Sequence, residues 1–207
     1  MVGVLAGFGF VFATLGLSTV LNKFNVLNDE GARKFIHIGV AHWYLLTWWL
    51  VDNVWLALIA PVTFIFLNYA SYRFDLIKAM ERDDKSSNDL GTVYYAISLS
   101  VITYLSYAFS MQSIAAFSLL VMGWGDGLSA ILGKKYGKIE LYNGKTLTGF
   151  LTVFAVSMIL GFILLDLGFL IVVLAFFAAL LELVSPKGFD NLTLPIGLYL
   201  LLWVIPL

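Results

Sequence analysis

The sequence contains no cysteine, which excludes a disulfide framework, thiol catalysis and thiolate-held zinc or iron–sulfur centres together. Charge is scarce as well: 12% of the 207 residues are Asp, Glu, Lys or Arg, about half of the roughly 25% usual in soluble domains. Neither sign is in excess, with 12 Lys and Arg against 13 Asp and Glu, so neither a nucleic-acid-binding basic face nor a disordered charged chain is encoded. The first residues, Met1-Val2-Gly3, lack the basic cluster of a cleaved signal, and the apolar run that follows is expected to be a retained helix. What is abundant is apolar surface: 61% of residues are hydrophobic and 16% aromatic, with a mean hydropathy of +0.94.

That content is arranged in runs close to the roughly 20 residues that cross a hydrocarbon core. Eight are expected to be membrane helices, at 2–21, 35–51, 54–72, 91–109, 113–132, 149–165, 168–184 and 193–207. The fold class expected is therefore all-α, a polytopic helix bundle forming a single integral membrane domain over residues 1–207. All 12 basic residues fall in four connections: Lys23, Arg33 and Lys34; Arg73, Lys78, Arg82 and Lys85; Lys134, Lys135, Lys138 and Lys145; and Lys187. The intervening turns near Asp52, Gln112 and Asp166 hold none. By the positive-inside rule the long connections are expected in the cytoplasm and both termini outside. Within the polar stretch 73–89, Phe74, Leu76, Ile77 and Met80 alternate with charges in the manner of a short amphipathic surface helix. No internal repeat is visible, so the inverted-repeat plan of transporters finds no support.

Few ionisable residues lie inside the apolar runs: His37, His42, Asp126 and Glu182. A charge at membrane depth costs about 2.5 to 3.5 kcal/mol even on lenient insertion scales, so each is read first as functional. Asp126 is the sharpest, in Gly123-Trp124-Gly125-Asp126-Gly127, where alternate glycines weaken the helix and allow close backbone approach. A small-residue packing face accounts for those glycines but not for the carboxylate. On a regular helix Asp126 would lie about 10 Å deeper than Gly133. Glu182 stands near the end of its run, four residues before the helix-stopping Pro186. The two carboxylates are expected to face one cytoplasmic cavity, where they suit Mg²⁺ with positions open for substrate phosphates. Arg33 and His37 share one helical face with Lys34 beside them, which reads equally as a headgroup anchor. His42 reads as interfacial or packed.

The connection from Gly133-Lys134-Lys135-Tyr136-Gly137-Lys138 to Gly144-Lys145-Thr146-Leu147-Thr148-Gly149 pairs glycine-freed amides with lysines, as a polyphosphate cradle does. It is not a Walker A loop, because Ile139 stands where the first glycine is required and no strand precedes it. Near the last run, Asn191 or Thr193 is a candidate helix cap with Pro195 in the first turn. Asp190 and Asn191 share the membrane face of every feature above.

Together these residues resemble the CTP-dependent polyprenol kinases, the family of dolichol kinase, phytol kinase and the CTP-type diacylglycerol kinase. The resemblance rests on Arg33-Lys34-x-x-His37, on Leu90-Gly91-Thr92-Val93-Tyr94-Tyr95 ahead of Ser98, and on Asp126-Gly127 before Gly133-Lys134-Lys135-Tyr136-Gly137. It continues through Gly144-Lys145-Thr146-x-x-Gly149 and Glu182 to Asp190-Asn191-x-x-x-Pro195, a catalytic region of about residues 33–195. It implies transfer of the γ-phosphate of CTP, drawn from the cytosol, to the hydroxyl of a bilayer isoprenoid alcohol, with Mg²⁺ as cofactor. Asp126, Lys145 and His37 are then expected as catalytic residues and Asp126, Glu182 and Asp190 as metal ligands. Arg33, Lys34, Gly133, Lys134, Lys135, Gly137, Gly144, Lys145, Thr146, Gly149 and Asn191 are expected to hold the nucleotide. The competing enzyme readings are a cytidylyltransferase making a CDP-lipid and an isoprenyl-monophosphate kinase. An ion-coupled transporter is the reading outside enzymes; it would want ionisable residues reaching both faces, and the outer half is nearly devoid of them.

Overall fold

The computed structural model of the chain describes residues 1–74 and 90–205. Val2–Lys23 forms α1, and after a short turn Asp29–Ala41 forms α2. The start of α2 is fixed by Asn28, whose side chain accepts from the Gly31 amide at 2.8 Å, and by Asp29 and Glu30 in the first turn. The expected single helix over 35–51 is two: α2 stops at Ala41, and Trp43–Leu50 continues as α3. Val54–Phe74 is α4, Gly91–Phe109 is α5 and Gln112–Leu120 is α6. A π-helical segment, Val121–Asp126, joins α6 to α7, Gly127–Tyr136, in one unbroken column. Leu147–Leu164 is α8, Leu170–Val184 is α9 and Asp190–Trp203 is α10.

The expected all-α class holds, with about 82% of the described residues helical. The exception is a hairpin, β1 (Glu140–Tyr142) and β2 (Lys145–Thr146), where sequence reading expected a plain loop. Its turn is set by Asn143 and Gly144, both at positive φ (48° and 77°), the requirement of a tight two-residue hairpin turn. The stretch expected as an amphipathic surface helix has Arg73 and Phe74 at the end of α4 and lies otherwise outside the described residues, as do residues 206 and 207 of the last run.

Among the described residues five helices are long and apolar enough to cross a membrane: α1, α4, α5, the Gln112–Tyr136 column and α8. The column is the centre of the bundle. Its most apolar window is 78% buried, against 22–50% for the other four, so they cover it while facing lipid themselves. Close approach is possible because the column carries glycine where α2 crosses it: a Cβ on Gly123 would sit 2.3 Å from that of Ala41.

Helix α10 starts three residues earlier than the expected 193, and Phe189 rather than Asn191 or Thr193 stands at its N-cap. Pro195 consequently lies in the second turn, where its missing N–H leaves the Asn191 carbonyl without a helical partner. The Ser98 hydroxyl of α5 supplies one at 2.6 Å.

Candidate functional site

The π-helical segment is the local feature that makes the site. Two glycines, Gly123 and Gly125, lie within its wider winding, and π insertions of this kind occur frequently at functional sites. Asp126 closes the segment and is 6% exposed. Its carboxylate is not alone. The Lys34 ammonium lies 2.8 Å from Oδ2, and His37 Nε2 lies 3.1 Å from the same oxygen. Because His37 Nε2 also faces the Met122 carbonyl at 3.1 Å, two acceptors surround it and it carries the hydrogen. Lys34, expected as a surface cation, is buried at 4% exposure and also donates to the Asp126 carbonyl at 3.4 Å.

The second half of the site comes from α9, α10 and the hairpin. Glu182 at the end of α9 and Asp190 at the start of α10 are buried at 4% and 6% exposure. The β2 strand delivers Lys145 between them, its ammonium 2.9 Å from Glu182 Oε1 and 3.5 Å from Asp190 Oδ2, with a further bond to the Glu182 carbonyl. One carboxylate oxygen from each of Asp126, Glu182 and Asp190 can be chosen so that all lie within 4.8 Å of one another. Three carboxylates from three helices thus converge in the interior, balanced by the buried Lys34 and the half-buried Lys145, which is how buried charge is tolerated. Hard oxygen donors so grouped, with lysines rather than further carboxylates completing the surroundings, fit a hard divalent cation such as Mg²⁺ that keeps positions for phosphate oxygens.

The remaining expected residues fall into three places. Asn191 adjoins Asp190, its amide donating to Asp190 Oδ1 at 3.0 Å and its side-chain Nδ2 to the Gly91 carbonyl at 2.9 Å. Its own Oδ1 is buried without a hydrogen-bond partner. Thr146 caps α8, accepting from the Gly149 amide at 3.2 Å. Gly133, Gly137 and Gly149 pack around it: a Cβ on each would lie 3.0, 2.6 and 3.6 Å from Thr146 Oγ1. Packing therefore accounts for these three glycines, and the hairpin turn accounts for Gly144. Arg33 and Lys134 are not brought to the carboxylates. Both meet Glu30 instead, at 3.3 and 2.9 Å, on the surface where α2 passes α7. Burial raises the Glu30 carboxyl, but the Lys134 bond and the Arg33 charge outweigh it and hold the group below its ordinary range. Lys135 lies over the Tyr136 ring at 5.0 Å. His42 Nε2 accepts from the Trp124 indole at 3.2 Å, which leaves Nδ1 to donate to the Ile38 carbonyl at 3.0 Å.

The chain is 31% identical to the phytol kinase of Synechocystis sp., over 94% of this chain and 87% of that protein. It belongs to the polyprenol and phytol kinase family. Plant members match more distantly. The probable phytol kinase 1, chloroplastic, of Glycine max is 29% identical over 82% of this chain and 57% of its own length. The probable phytol kinase 2, chloroplastic, of Oryza sativa subsp. japonica is 28% identical over 93% of this chain and 71% of its own length. No family model and no solved structure matches the chain.

Sequence reading named Asp126, Glu182, Asp190, Lys145, Lys34 and His37, and the structure gathers all six into the carboxylate centre. It gave no role to Tyr95 and Ser98, which turn out to contact the helices carrying those groups. Their sequence signal was a place in the motif Leu90 to Ser98 that carries the family resemblance, with a spacing of three on one helix face.

Proposed function

We propose that this chain is a lipid-alcohol kinase that transfers the γ-phosphate of CTP to the hydroxyl of an isoprenoid alcohol of the phytol type. The observation that carries this reading is the convergence of Asp126, Glu182 and Asp190 with Lys34 and Lys145 in the interior of a membrane helix bundle. A transporter path has no use for such a centre at one end of the bundle, whereas a phosphoryl-transfer site has. The relatives named as phytol kinases support the acceptor class.

In this assignment the carboxylates of Asp126, Glu182 and Asp190 hold Mg²⁺, which supplies charge neutralisation at the phosphate oxygens. Lys145 reaches the centre on the hairpin, and in this reading its ammonium meets the terminal phosphates of the nucleotide. Lys34 and His37 grip Oδ2 of Asp126 and set its orientation. Phosphoryl transfer through a loose transition state asks for positioning and charge stabilisation more than for a strong base, which this set provides. The alcohol oxygen attacks the γ-phosphorus in line, the bond to the β-phosphate oxygen breaks with CDP as the leaving group, and the hydroxyl proton passes through a phosphate oxygen to solvent, leaving the phosphoryl group on the lipid.

At one end of the bundle Lys34 stands near the start of α2, Lys145 on β2, Glu182 at the end of α9 and Asp190 at the start of α10, each in or beside a lysine- or arginine-bearing connection. The positive-inside rule assigns that end to the cytoplasm, where nucleotide is available, while the alcohol arrives laterally with its tail among the helices. The test is transfer by the purified chain from CTP labelled at the α or γ position, with phytol, a longer polyprenol and phytyl monophosphate as separate acceptors. γ-Label in a lipid monophosphate made from the alcohol is expected. α-Label in lipid identifies a cytidylyltransferase, and transfer only to the monophosphate identifies the alternative kinase.

A further inference from the structure

The α5 motif Leu90-Gly91-Thr92-Val93-Tyr94-Tyr95, with Ser98 after it, contains no charged side chain. Gly91, Tyr95 and Ser98 are spaced by four and three and so share one helix face. That face contacts both halves of the site. Towards α2, the Tyr95 hydroxyl donates to the His37 carbonyl at 2.8 Å, and its ring meets the His37 imidazole edge-on, 4.7 Å between centroids at 69°. Towards α10, Ser98 donates to the Asn191 carbonyl at 2.6 Å and the Gly91 carbonyl accepts from Asn191 Nδ2 at 2.9 Å.

Each contact lands one step from a site carboxylate. His37 holds Asp126 Oδ2 at 3.1 Å, and the Asn191 amide holds Asp190 Oδ1 at 3.0 Å. The Ser98 bond also answers a defect that α10 cannot repair itself, since Pro195 has no N–H for the Asn191 carbonyl. Tyr95 and Ser98 are 7% and 0% exposed, so water does not replace either bond when it is removed.

We propose that the Gly91–Tyr95–Ser98 face is a positioning ridge for phosphoryl transfer. Tyr95 sets Asp126 through His37, and Ser98 sets Asp190 through Asn191. This rests on reading the carboxylate centre as the transfer site.

The test uses the full chain in detergent and in liposomes with Tyr95→Phe, Ser98→Ala and Ser98→Thr. Tyr199→Phe is the control, a buried tyrosine whose hydroxyl has no hydrogen-bond partner. Tyr95→Phe is expected to lower kcat about tenfold, with KM for CTP and for phytol within about twofold of the unaltered chain. Ser98→Ala is expected to weaken binding of Mn²⁺ alone, titrated by spin resonance without nucleotide, about tenfold, and Ser98→Thr to restore most of it. Equal kcat and equal Mn²⁺ affinity in Tyr95→Phe, Ser98→Ala and Tyr199→Phe would overturn the ridge. So would losses that follow only a lowered melting temperature, with full activity per folded molecule. If the unaltered chain transfers no phosphate the kinase reading fails, and the Mn²⁺ titration still decides the Ser98 half.

Discussion

A carboxylate in the apolar interior persists only with partners, and Asp126 has Lys34 at 2.8 Å and His37 at 3.1 Å on one oxygen. Lys34 is itself 4% exposed, so neither member of the pair has water to fall back on. Replacing Lys34 by Met keeps the volume and strands the carboxylate. The expected cost is about 3 kcal/mol of stability, read as a shifted unfolding midpoint in mixed micelles. Asp126→Asn placed in the same chain should recover part of that loss, because it removes the stranded charge rather than a contact. Additive losses in the double variant would show that the two side chains do not depend on each other. Asp126 was visible in the sequence because a charge among apolar residues is conspicuous. The burial of Lys34 was not, since a lysine next to Arg33 at a helix start looks the same whether its ammonium turns to water or inward.

At the scale of the element, the π-helical segment Val121–Asp126 and the hairpin Glu140–Thr146 do most to place the site. Glycine spacing around Trp124 announced a weakened helix but not its π winding, which follows from the packing of α2 and α8 against the column. The two sides of the segment differ in tolerance. A Cβ on Gly123 meets that of Ala41 at 2.3 Å, whereas on Gly125 its nearest neighbour is Val153 at an ordinary 3.5 Å. Gly123→Ala is therefore expected to push α2 from the column, lowering both the melting temperature and turnover, while Gly125→Ala leaves both near the unaltered chain. The reverse order would mean that α2 does not seat directly on Gly123. The hairpin was legible in principle, because Asn-Gly between β-compatible residues is the strongest short-range hairpin signal. Its lysines and glycines instead suggested a flexible phosphate cradle. Three of those glycines serve to let α7 and α8 close on Thr146, and Lys145 alone of the loop lysines reaches the carboxylates.

For the whole molecule, apolar runs and the placement of 12 basic residues indicated a helix bundle with its polar connections on one side. The carboxylates and Lys145 lie at that same end. What the linear sequence could not convey is which helix occupies the middle. The column Gln112–Tyr136 is no more apolar than α1 or α8, and it is central because its small residues admit close neighbours on every side. Orientation is directly testable, since the chain has no cysteine to remove. Lys138→Cys beside the hairpin should react with an impermeant maleimide only when the cytoplasmic face is open, and Asp52→Cys only from the opposite face. The opposite pattern would place the carboxylate centre away from cytosolic nucleotide.

The most direct test of the central claim is γ-label transfer from CTP to phytol by Asp126→Asn protein of verified fold. The variant is expected to lose about a hundredfold or more in turnover, because one charged group of the centre is neutralised with its shape kept. Lipid phosphorylation at the unaltered rate, by protein that is folded and Mg²⁺-dependent, would contradict the assignment of Asp126 and with it the site proposed for the reaction.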